Sequence, residues 1–295
     1  MTAVDPALAG LASTMRRRRK VKNLLASTWI WASAFVALLP LALVTFYVVS
    51  RGSELFGWDF LVSDIPVSRR TLGPGMGPAV LGTLLITLAA ALMSIPLGIL
   101  AAVYLNEYGK PTWLASKVRF MSQVMTGVPS IVMGLFVYTT WVLVFGISGF
   151  AGSLALACLM LPIVIRSTEE MLRLVPDELR QASYALGNRK WRTVLTVVLP
   201  AALPGITSGC MLAVARAAGE TAPLIFTIGV VSAANPNVFD GPNTALSAQI
   251  FRNASLPFEG PQDRAWAAAL TLILLVLLLT IVARWISSRF SNRNS

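Results

Sequence analysis

Six apolar segments, each long enough to cross a membrane, dominate this sequence. They cover residues 28–49, 80–105, 120–145, 150–172, 200–231 and 265–286. A helix needs roughly 20 apolar residues to cross a hydrocarbon core of about 30 Å. The chain of 295 residues is 56% hydrophobic and 13% charged, which excludes a soluble globular domain. We therefore predict an all-α membrane protein with six transmembrane helices.

The basic residues predict which helix ends face the cytoplasm, because loops that are kept there collect Lys and Arg. If both termini are cytoplasmic, most of the 24 Lys and Arg residues lie inside. Arg216 then falls within a span, and the basic residues outside are Arg51, Arg69, Arg70, Arg252 and Arg264. We therefore predict a multi-pass protein of the plasma membrane with both termini in the cytoplasm.

The net charge of +11 and the pI near 10.5 raise the alternative of a nucleic-acid-binding protein. The charge is spread over separate cytoplasmic segments, so membrane topology and contact with anionic lipids explain it better. The basic run 16–20 before the first apolar segment also resembles a secretory signal. That apolar segment is too long for a signal core and lacks an obvious small-residue cleavage site, so we expect an uncleaved helix.

The predicted spans divide the chain into five parts. These are a basic cytoplasmic tail at 1–27, a first transmembrane helix at 28–49, an outer loop at 50–78, a core of five transmembrane helices at 79–286, and a second cytoplasmic tail at 287–295. The outer loop has a Gly-rich end, and a short interfacial helix over 55–61 is its alternative. The core contains a polar cytoplasmic loop at 173–198.

The sequence of this polar loop predicts one helix on each side of a turn. Residues 178–186 favour a helix, and Gly187-Asn188 is a typical stop signal. A basic, amphipathic run follows over 189–198, and Leu199-Pro200 is expected to end it before the next span. Such a loop on one membrane face presents a docking surface, whereas an ordinary amphipathic interfacial helix is the alternative.

The spacing within this loop resembles the cytoplasmic loop of ABC importer permeases. Its pattern is Glu-Ala-Ala, three residues, Gly, nine residues, Ile, any residue and Leu-Pro, and that loop docks into a groove of an ATP-hydrolysing subunit. We therefore call residues 173–198 the coupling loop. The chain has Gln181 where the family usually has Glu, and Ser183 where it has the second Ala. The positions implied to couple to the ATPase are Gln181, Ala182, Ser183, Gly187, Leu199 and Pro200.

Two ionisable residues, Arg216 and Glu220, lie inside the fifth apolar segment. An ionisable residue there costs about 2.5–3.5 kcal/mol on insertion scales, so it faces the bundle interior or water. The four-residue spacing places both side chains on one helix face, where they can pair. Arginine offers planar paired donors and stays charged, which suits an oxyanion such as phosphate. The alternative is an ion pair that serves helix packing alone.

Three stretches resemble the PstA-type permease of phosphate ABC importers. Residues 95–108 and 127–136 look like its second and third helices, and residues 215–224 look like its fifth-helix signature. The resemblance runs over residues 75–286. In that family the Arg and Glu of the fifth helix are implicated in transport, which carries over to Arg216 and Glu220.

An Arg at the place of Arg166 is also considered functional in that family. From the residues alone, Arg166 anchors the inner boundary of its span or pairs with Glu169 and Glu170. Thr221 and Ser130 offer hydroxyl donors to an anion, although hydroxyl groups also bond to helix backbones. The predicted substrate path accordingly contains Arg166, Arg216, Glu220 and Thr221.

The resemblance implies the type I ABC importer permease (MetI-like) fold. It also implies one permease subunit of an ATP-driven importer of inorganic phosphate. The expected partners are a PstC-type second permease, a pair of PstB-type ATPases and an external PstS-type phosphate-binding protein. The remaining alternatives are an ABC permease for another oxyanion, such as molybdate or sulfate, and a membrane subunit that reports phosphate status to a sensor kinase.

The sequence has no P-loop, because no Gly is followed at the required spacing by Gly-Lys-Ser or Gly-Lys-Thr. We therefore expect another chain to bind and hydrolyse ATP, and this chain to be neither an enzyme nor a cofactor-binding protein. The sequence contains no His, and its two cysteines, Cys158 and Cys210, lie inside spans. We expect no metal or haem site.

Overall fold

The computed structural model of the chain describes residues 17–68, 72–109 and 112–291. The chain divides after Ser50 into two units. The first contains most of helix α1, Arg17–Gly52. The described part of α1 starts at Arg17, so residues 17–27 of the predicted cytoplasmic tail are helical, and residues 1–16 lie outside the described residues. Lys, Arg and Leu are good helix formers, so the apolar helix extends into its basic flank.

The second unit, residues 51–295, is helical in all the regular structure that the described residues form. Its elements are α2 Trp58–Val62, α3 Gly77–Tyr108, α4 Trp113–Gly127, α5 Ser130–Phe145, α6 Gly149–Arg173, α7 Asp177–Ala185, α8 Lys190–Ala218, α9 Ala222–Thr227, α10 Leu246–Ala254 and α11 Glu259–Ser291. Within the described ranges, five helices are long and apolar enough to cross a membrane, namely α1, α3, α6, α8 and α11, and α4 with α5 makes a sixth if the pair is one bent span.

Helices α3, α6 and α8 form the centre of the second unit. Their buried apolar side chains include Ile86, Ala90, Leu156, Met160, Val164, Ile206 and Cys210. Small residues allow close approach at these contacts: a Cβ at Gly98 would lie 2.6 Å from Cγ1 of Val164. Close packing of this kind stabilises helix contacts in a membrane, where burial of apolar surface does not drive association.

The third predicted span, 120–145, is not one continuous helix. The axes of α4 and α5 are bent by 107° at Val128-Pro129. Proline has no N–H to donate to the preceding turn, and its ring forces the residue before it out of the helical region. Val128 accordingly has the extended angles φ −72° and ψ 127°.

The fifth predicted span, 200–231, differs at both ends. Leu199-Pro200 does not interrupt the chain, since α8 runs from Lys190 through it by way of a wide π turn at Val194–Val198. In this turn the Leu199 N–H donates to the Val194 carbonyl, five residues back. Such a wide turn accommodates Pro200, which has no backbone N–H to donate. At the other end α8 stops at Ala218, and residues 219–221 separate it from the short α9.

Candidate functional site

The turn between α7 and α8 is a Schellman motif. The Gly187 N–H donates to the Tyr184 carbonyl at 2.9 Å, and the Asn188 N–H donates to the Ser183 carbonyl at 3.2 Å. Gly187 has φ +82°, and a Cβ there would meet no atom within 4 Å. Glycine is therefore required by the left-handed backbone rather than by packing. The predicted helix stop at Gly187-Asn188 is confirmed.

A bridge between two hydroxyl groups joins the two arms of the coupling loop. Oγ of Ser183 lies 2.8 Å from Oγ1 of Thr193 in the first turn of α8, and both side chains are buried. The side-chain Nδ2 of Asn188 also donates to Oγ of Ser183, at 3.3 Å. The serine that replaces the usual alanine of the family pattern therefore holds α7 against α8.

We predict that Ser183→Ala loosens the coupling loop. The change removes one partner from a buried hydroxyl, Oγ1 of Thr193, which costs about 1–3 kcal/mol. Hydrogen exchange of the α7 amides, measured by mass spectrometry on the assembled protein, should then accelerate roughly tenfold. Thr196→Val is the matched control, because Thr196 is exposed and its hydroxyl donates to the Arg192 carbonyl of its own helix.

The double variant Ser183→Ala/Thr193→Val separates the bridge from a packing effect. The double variant removes both hydroxyl groups, so neither stays buried after losing the other. Hydrogen exchange of the α7 amides should therefore return toward the wild-type rate. If Ser183→Ala and Thr196→Val accelerate exchange equally, the hydroxyl bridge does not stabilise the loop.

A buried arginine, Arg180, holds the buried side of α7 in place. Its side chain is 10% exposed, and it forms an ion pair with Glu107, which is 5% exposed, at 2.9 Å between Nη2 and Oε1. Arg180 also donates to the carbonyls of Leu172 and Val175 and to Oδ1 of Asp177. Because Glu107 lies in the last turn of α3, this contact ties the coupling loop to the central bundle.

The side of the loop away from this tie is exposed and carries large apolar side chains among polar ones. Leu186 is 83% exposed and Trp191 is 57% exposed, and Gln181 and Ala182 lie on the same exposed side of the loop. Leu199 and Pro200 are only half-buried and lie inside α8. Exposed apolar surface rimmed by polar groups is typical of a protein-binding site. The predicted coupling positions thus fall into three groups. Gln181, Ala182 and Gly187 are exposed, Ser183 joins α7 to α8, and Leu199 and Pro200 lie inside α8.

Arg216 and Glu220 form an ion pair, with 3.6 Å between Nε and Oε1. Pairing was expected, but on one continuous helix, whereas Glu220 lies in the break between α8 and α9. The break is anchored, since the Glu220 carbonyl accepts a hydrogen bond from Oγ of Ser247 at 2.8 Å. The Arg216 side chain is 68% exposed in the single chain and that of Glu220 is 20% exposed.

Thr221 follows directly in the same break. It precedes the first turn of α9, and its side chain makes no capping hydrogen bond to that helix. Its hydroxyl lies close in sequence to the Arg216–Glu220 pair and is partly exposed. Ser130 occupies the start of α5, the helix that contacts α9 at Gly134, where a Cβ would lie 2.5 Å from Cα of Pro223.

Arg166 pairs with Glu170, at 3.0 Å between Nε and Oε1, and both side chains are more than half exposed. Glu169, the other predicted partner, instead accepts hydrogen bonds from Arg119 and Arg173. Gly209 of α8 packs directly against the neighbouring Ser167. Arg216, seven residues further along α8, therefore lies roughly 10 Å beyond the level of Arg166 along the helix axis.

Arg180, Glu107 and Arg119 were not among the predicted site residues. In the sequence, the basic residues near them indicated membrane orientation. One local signal was present, because Arg180 and Ser183 are three residues apart and so share one face of α7. No local signal identifies Glu107 as the partner, since the two charged residues are far apart in sequence.

Residues 94–293 match the family described as "Binding-protein-dependent transport system inner membrane component". The chain is 44% identical over 275 residues to the phosphate transport system permease protein PstA 1 of Mycobacterium tuberculosis (strain H37Rv), which covers 91% of this chain and 88% of that protein. It is 42% identical over 275 residues to the phosphate transport system permease protein PstA of Yersinia pestis, with 92% of each chain covered.

Two solved structures share the fold. The inward-facing MetNI methionine ABC transporter superposes with a TM-score of 0.61 at 18% identity, over 72% of this chain and 94% of that one. A bacterial ABC transporter involved in the import of the acidic polysaccharide alginate superposes with a TM-score of 0.59 at 16% identity, over 92% and 96%. The MetI-like architecture is therefore confirmed. The chain belongs to the binding-protein-dependent transport system inner membrane components, within the PstA permeases.

Proposed function

We propose that this chain is one permease subunit of an ATP-driven importer of inorganic phosphate. The observation that carries the proposal is an arginine, Arg216, held beside Glu220 at a break in a membrane-spanning helix, in a chain 44% identical to phosphate permeases. The basic residues of the sequence favour cytoplasmic termini. In that orientation the coupling loop faces the cytoplasm and Arg216 lies deeper in the membrane.

The Arg216–Glu220 contact suits an anion that must bind and then leave. At 3.6 Å the pair is beyond hydrogen-bond distance, so the guanidinium N–H groups remain available to a phosphate oxygen. Arginine binds such oxygens through two parallel bonds. The nearby carboxylate lowers the local positive potential, which prevents the anion from being trapped. Thr221 supplies a further hydroxyl donor in the same break.

The coupling loop is proposed to dock into a groove of a PstB-type ATPase. The contact would be made by the exposed group Gln181, Ala182, Leu186, Gly187 and Trp191. Gln181 offers an amide where the family usually has a carboxylate, so this contact would be a neutral hydrogen bond. The buried contacts of Arg180 and Ser183 make α7 move with α3 and α8, and ATP-driven movement of the loop would thereby reach the bundle.

A PstC-type second permease would complete the path, since Arg216 is exposed in the single chain. A PstS-type binding protein would deliver phosphate on the opposite membrane face. Membership of a binding-protein-dependent transport family supports partners of these two kinds. No cofactor is proposed for this chain, and ATP would be bound by the partner ATPase.

The test is uptake of labelled phosphate into proteoliposomes that contain this chain and its proposed partners. We expect uptake that requires ATP and the external binding protein, and that unlabelled phosphate inhibits. Molybdate and sulfate at the same concentration should inhibit only weakly. Transport of molybdate or sulfate with no phosphate uptake would assign the chain to another oxyanion. A signalling response with no transport of any of the three would assign it to regulation.

A further inference from the structure

A cleft lined by charged and polar residues lies between α4 and the C-terminal part of α6, apart from the Arg216–Glu220 pair. Its volume is about 210 Å³. We call it the α4–α6 cleft. Its lining consists of Arg119, Ser122, Gln123, Thr126, Ile165, Arg166, Glu169, Glu170 and Arg173. Three guanidinium groups and two carboxylates thus face one space, which leaves an excess of one positive charge.

One buried carboxylate holds two of these arginines. Oε1 of Glu169 accepts a hydrogen bond from Nε of Arg119 at 2.8 Å and another from Nη2 of Arg173 at 2.6 Å. The Glu169 side chain is 11% exposed, whereas that of Arg173 is 58% exposed. Two guanidinium groups on one oxygen lie side by side, and each carries five N–H donors. Arg119 also donates from Nη2 to the Leu105 carbonyl at 2.7 Å. These bonds to Glu169 and Leu105 still leave N–H groups on both arginines for a second anion.

The α4–α6 cleft also has neutral donors on its other wall. Ser122 and Gln123 lie on the polar face of α4, opposite the arginines of α6. Arg166 adds a guanidinium group that is more than half exposed and bonded to Glu170 through Nε. Paired guanidinium donors with a hydroxyl and an amide are a suitable set for a tetrahedral oxyanion.

The other face of α4 is apolar. Its exposed side chains are Trp113, Leu114, Phe120, Met121 and Val124. Nζ of Lys117 lies 5.4 Å from the ring of Trp113 on the same face. An amphipathic helix with Trp and Lys on its apolar edge is typical of the membrane interface. The 107° bend from α5 turns α4 away from the direction of the span.

We propose that the α4–α6 cleft binds a phosphate group through Arg119 and Arg173, beside Arg166, which the family resemblance already places on the predicted substrate path. The phosphate group has two sources: inorganic phosphate that has passed Arg216, or the headgroup of an anionic lipid at the interface. The first source rests on the proposed function. The cleft lies nearer the coupling loop than Arg216 does, so in either case it is a second anion site on the coupling-loop side.

The first experiment measures binding of labelled inorganic phosphate to the assembled transporter in dodecyl maltoside, a detergent without phosphate. The background variant is Arg216→Gln, which removes the site in the helix break. Adding Arg173→Gln should weaken the remaining binding about tenfold or more, because two charge-assisted bonds lose their donor. Adding Arg192→Gln is the matched control, since Arg192 is an exposed arginine of the coupling loop, and it should leave binding unchanged.

A second experiment adds phosphatidylglycerol to the same protein and counts bound lipid by native mass spectrometry. Loss of bound lipid in Arg173→Gln but not in Arg192→Gln would support the cleft with a lipid as its ligand. If Arg173→Gln and Arg192→Gln affect both probes equally, the proposal is overturned. Glu169→Gln removes the competing carboxylate and should tighten binding of whichever probe occupies the cleft.

These measurements are independent of transport. If the wild-type protein takes up no phosphate, and anion binding is weaker in Arg173→Gln than in the wild type, the proposed function is contradicted and the cleft is supported. A protein that transports phosphate normally, with binding that does not depend on Arg173, contradicts the cleft alone.

Discussion

Arg216→Gln is expected to lower ATP-dependent phosphate uptake roughly tenfold or more while the transporter still assembles. A hydrogen bond to a charged group contributes about 1.5–3 kcal/mol, which corresponds to a loss of roughly 10- to 150-fold. Glutamine retains much of the length of arginine but neither the charge nor the paired donors. The measurement is the initial rate of uptake of labelled phosphate into proteoliposomes, normalised to the amount of assembled complex.

Two further variants show which property of Arg216 matters. Arg216→Lys keeps the charge without the planar fork, so uptake should fall between that of the wild type and that of Arg216→Gln. Glu220→Gln removes the neighbouring carboxylate and should strengthen phosphate binding while slowing release. Arg252→Gln is the matched control, because Arg252 is an exposed arginine that bonds to the Val230 carbonyl. Undiminished uptake by Arg216→Gln would reduce the Arg216–Glu220 pair to a helix-packing contact.

Arg180→Ala is expected to separate ATP hydrolysis from transport. It leaves Glu107 as a buried carboxylate without its ion-pair partner, and breaking a buried pair in this way costs about 3–5 kcal/mol. The buried side of α7 would lose its tie to the end of α3. We expect a lower midpoint of thermal unfolding and fewer phosphate ions imported per ATP hydrolysed.

The double variant Arg180→Met/Glu107→Leu tests this cause. Replacement of a buried ion pair by apolar groups of similar volume is often neutral, so the part of the loss that comes from the unpaired Glu107 carboxylate should be recovered. The Leu172 and Val175 carbonyls stay without the Arg180 donor, so recovery should be partial. The ratio of phosphate to ATP should recover with it if a firm contact suffices for coupling. Arg189→Ala is the control for loss of an exposed positive charge in the same loop. Arg180→Ala with wild-type stability and a wild-type transport ratio would contradict a bracing role for Arg180.

Features that depend on neighbouring residues were predictable from the sequence. The length of the apolar segments identified the five single helices of the described residues that can cross a membrane, whereas the third segment forms the bent pair α4 and α5. The Gly187-Asn188 pair located the turn of the coupling loop, because glycine readily adopts the left-handed conformation that ends a helix. The four-residue spacing of Arg216 and Glu220 indicated an ion pair, and the structure has one at 3.6 Å.

Breaks within the spans were harder to predict. Pro129 bends its span by 107°, whereas α8 passes through Pro200 by a wide turn. The same residue type therefore has two outcomes. A missing N–H can be absorbed by a wider turn or by a bend, and the neighbouring helices decide which is more stable.

By itself, the sequence determined the membrane class, the helical coupling loop and the position of the charged residues along the chain. Only the tertiary structure decided that Arg180 meets Glu107, that Glu169 holds Arg119 and Arg173, and that Ser183 meets Thr193. The physical reason is the range of each interaction. Apolar length and turn conformation are local properties of the chain. Ion pairs and hydroxyl bridges form between residues that helix packing brings together, and a buried charge takes the partner that this packing places within reach.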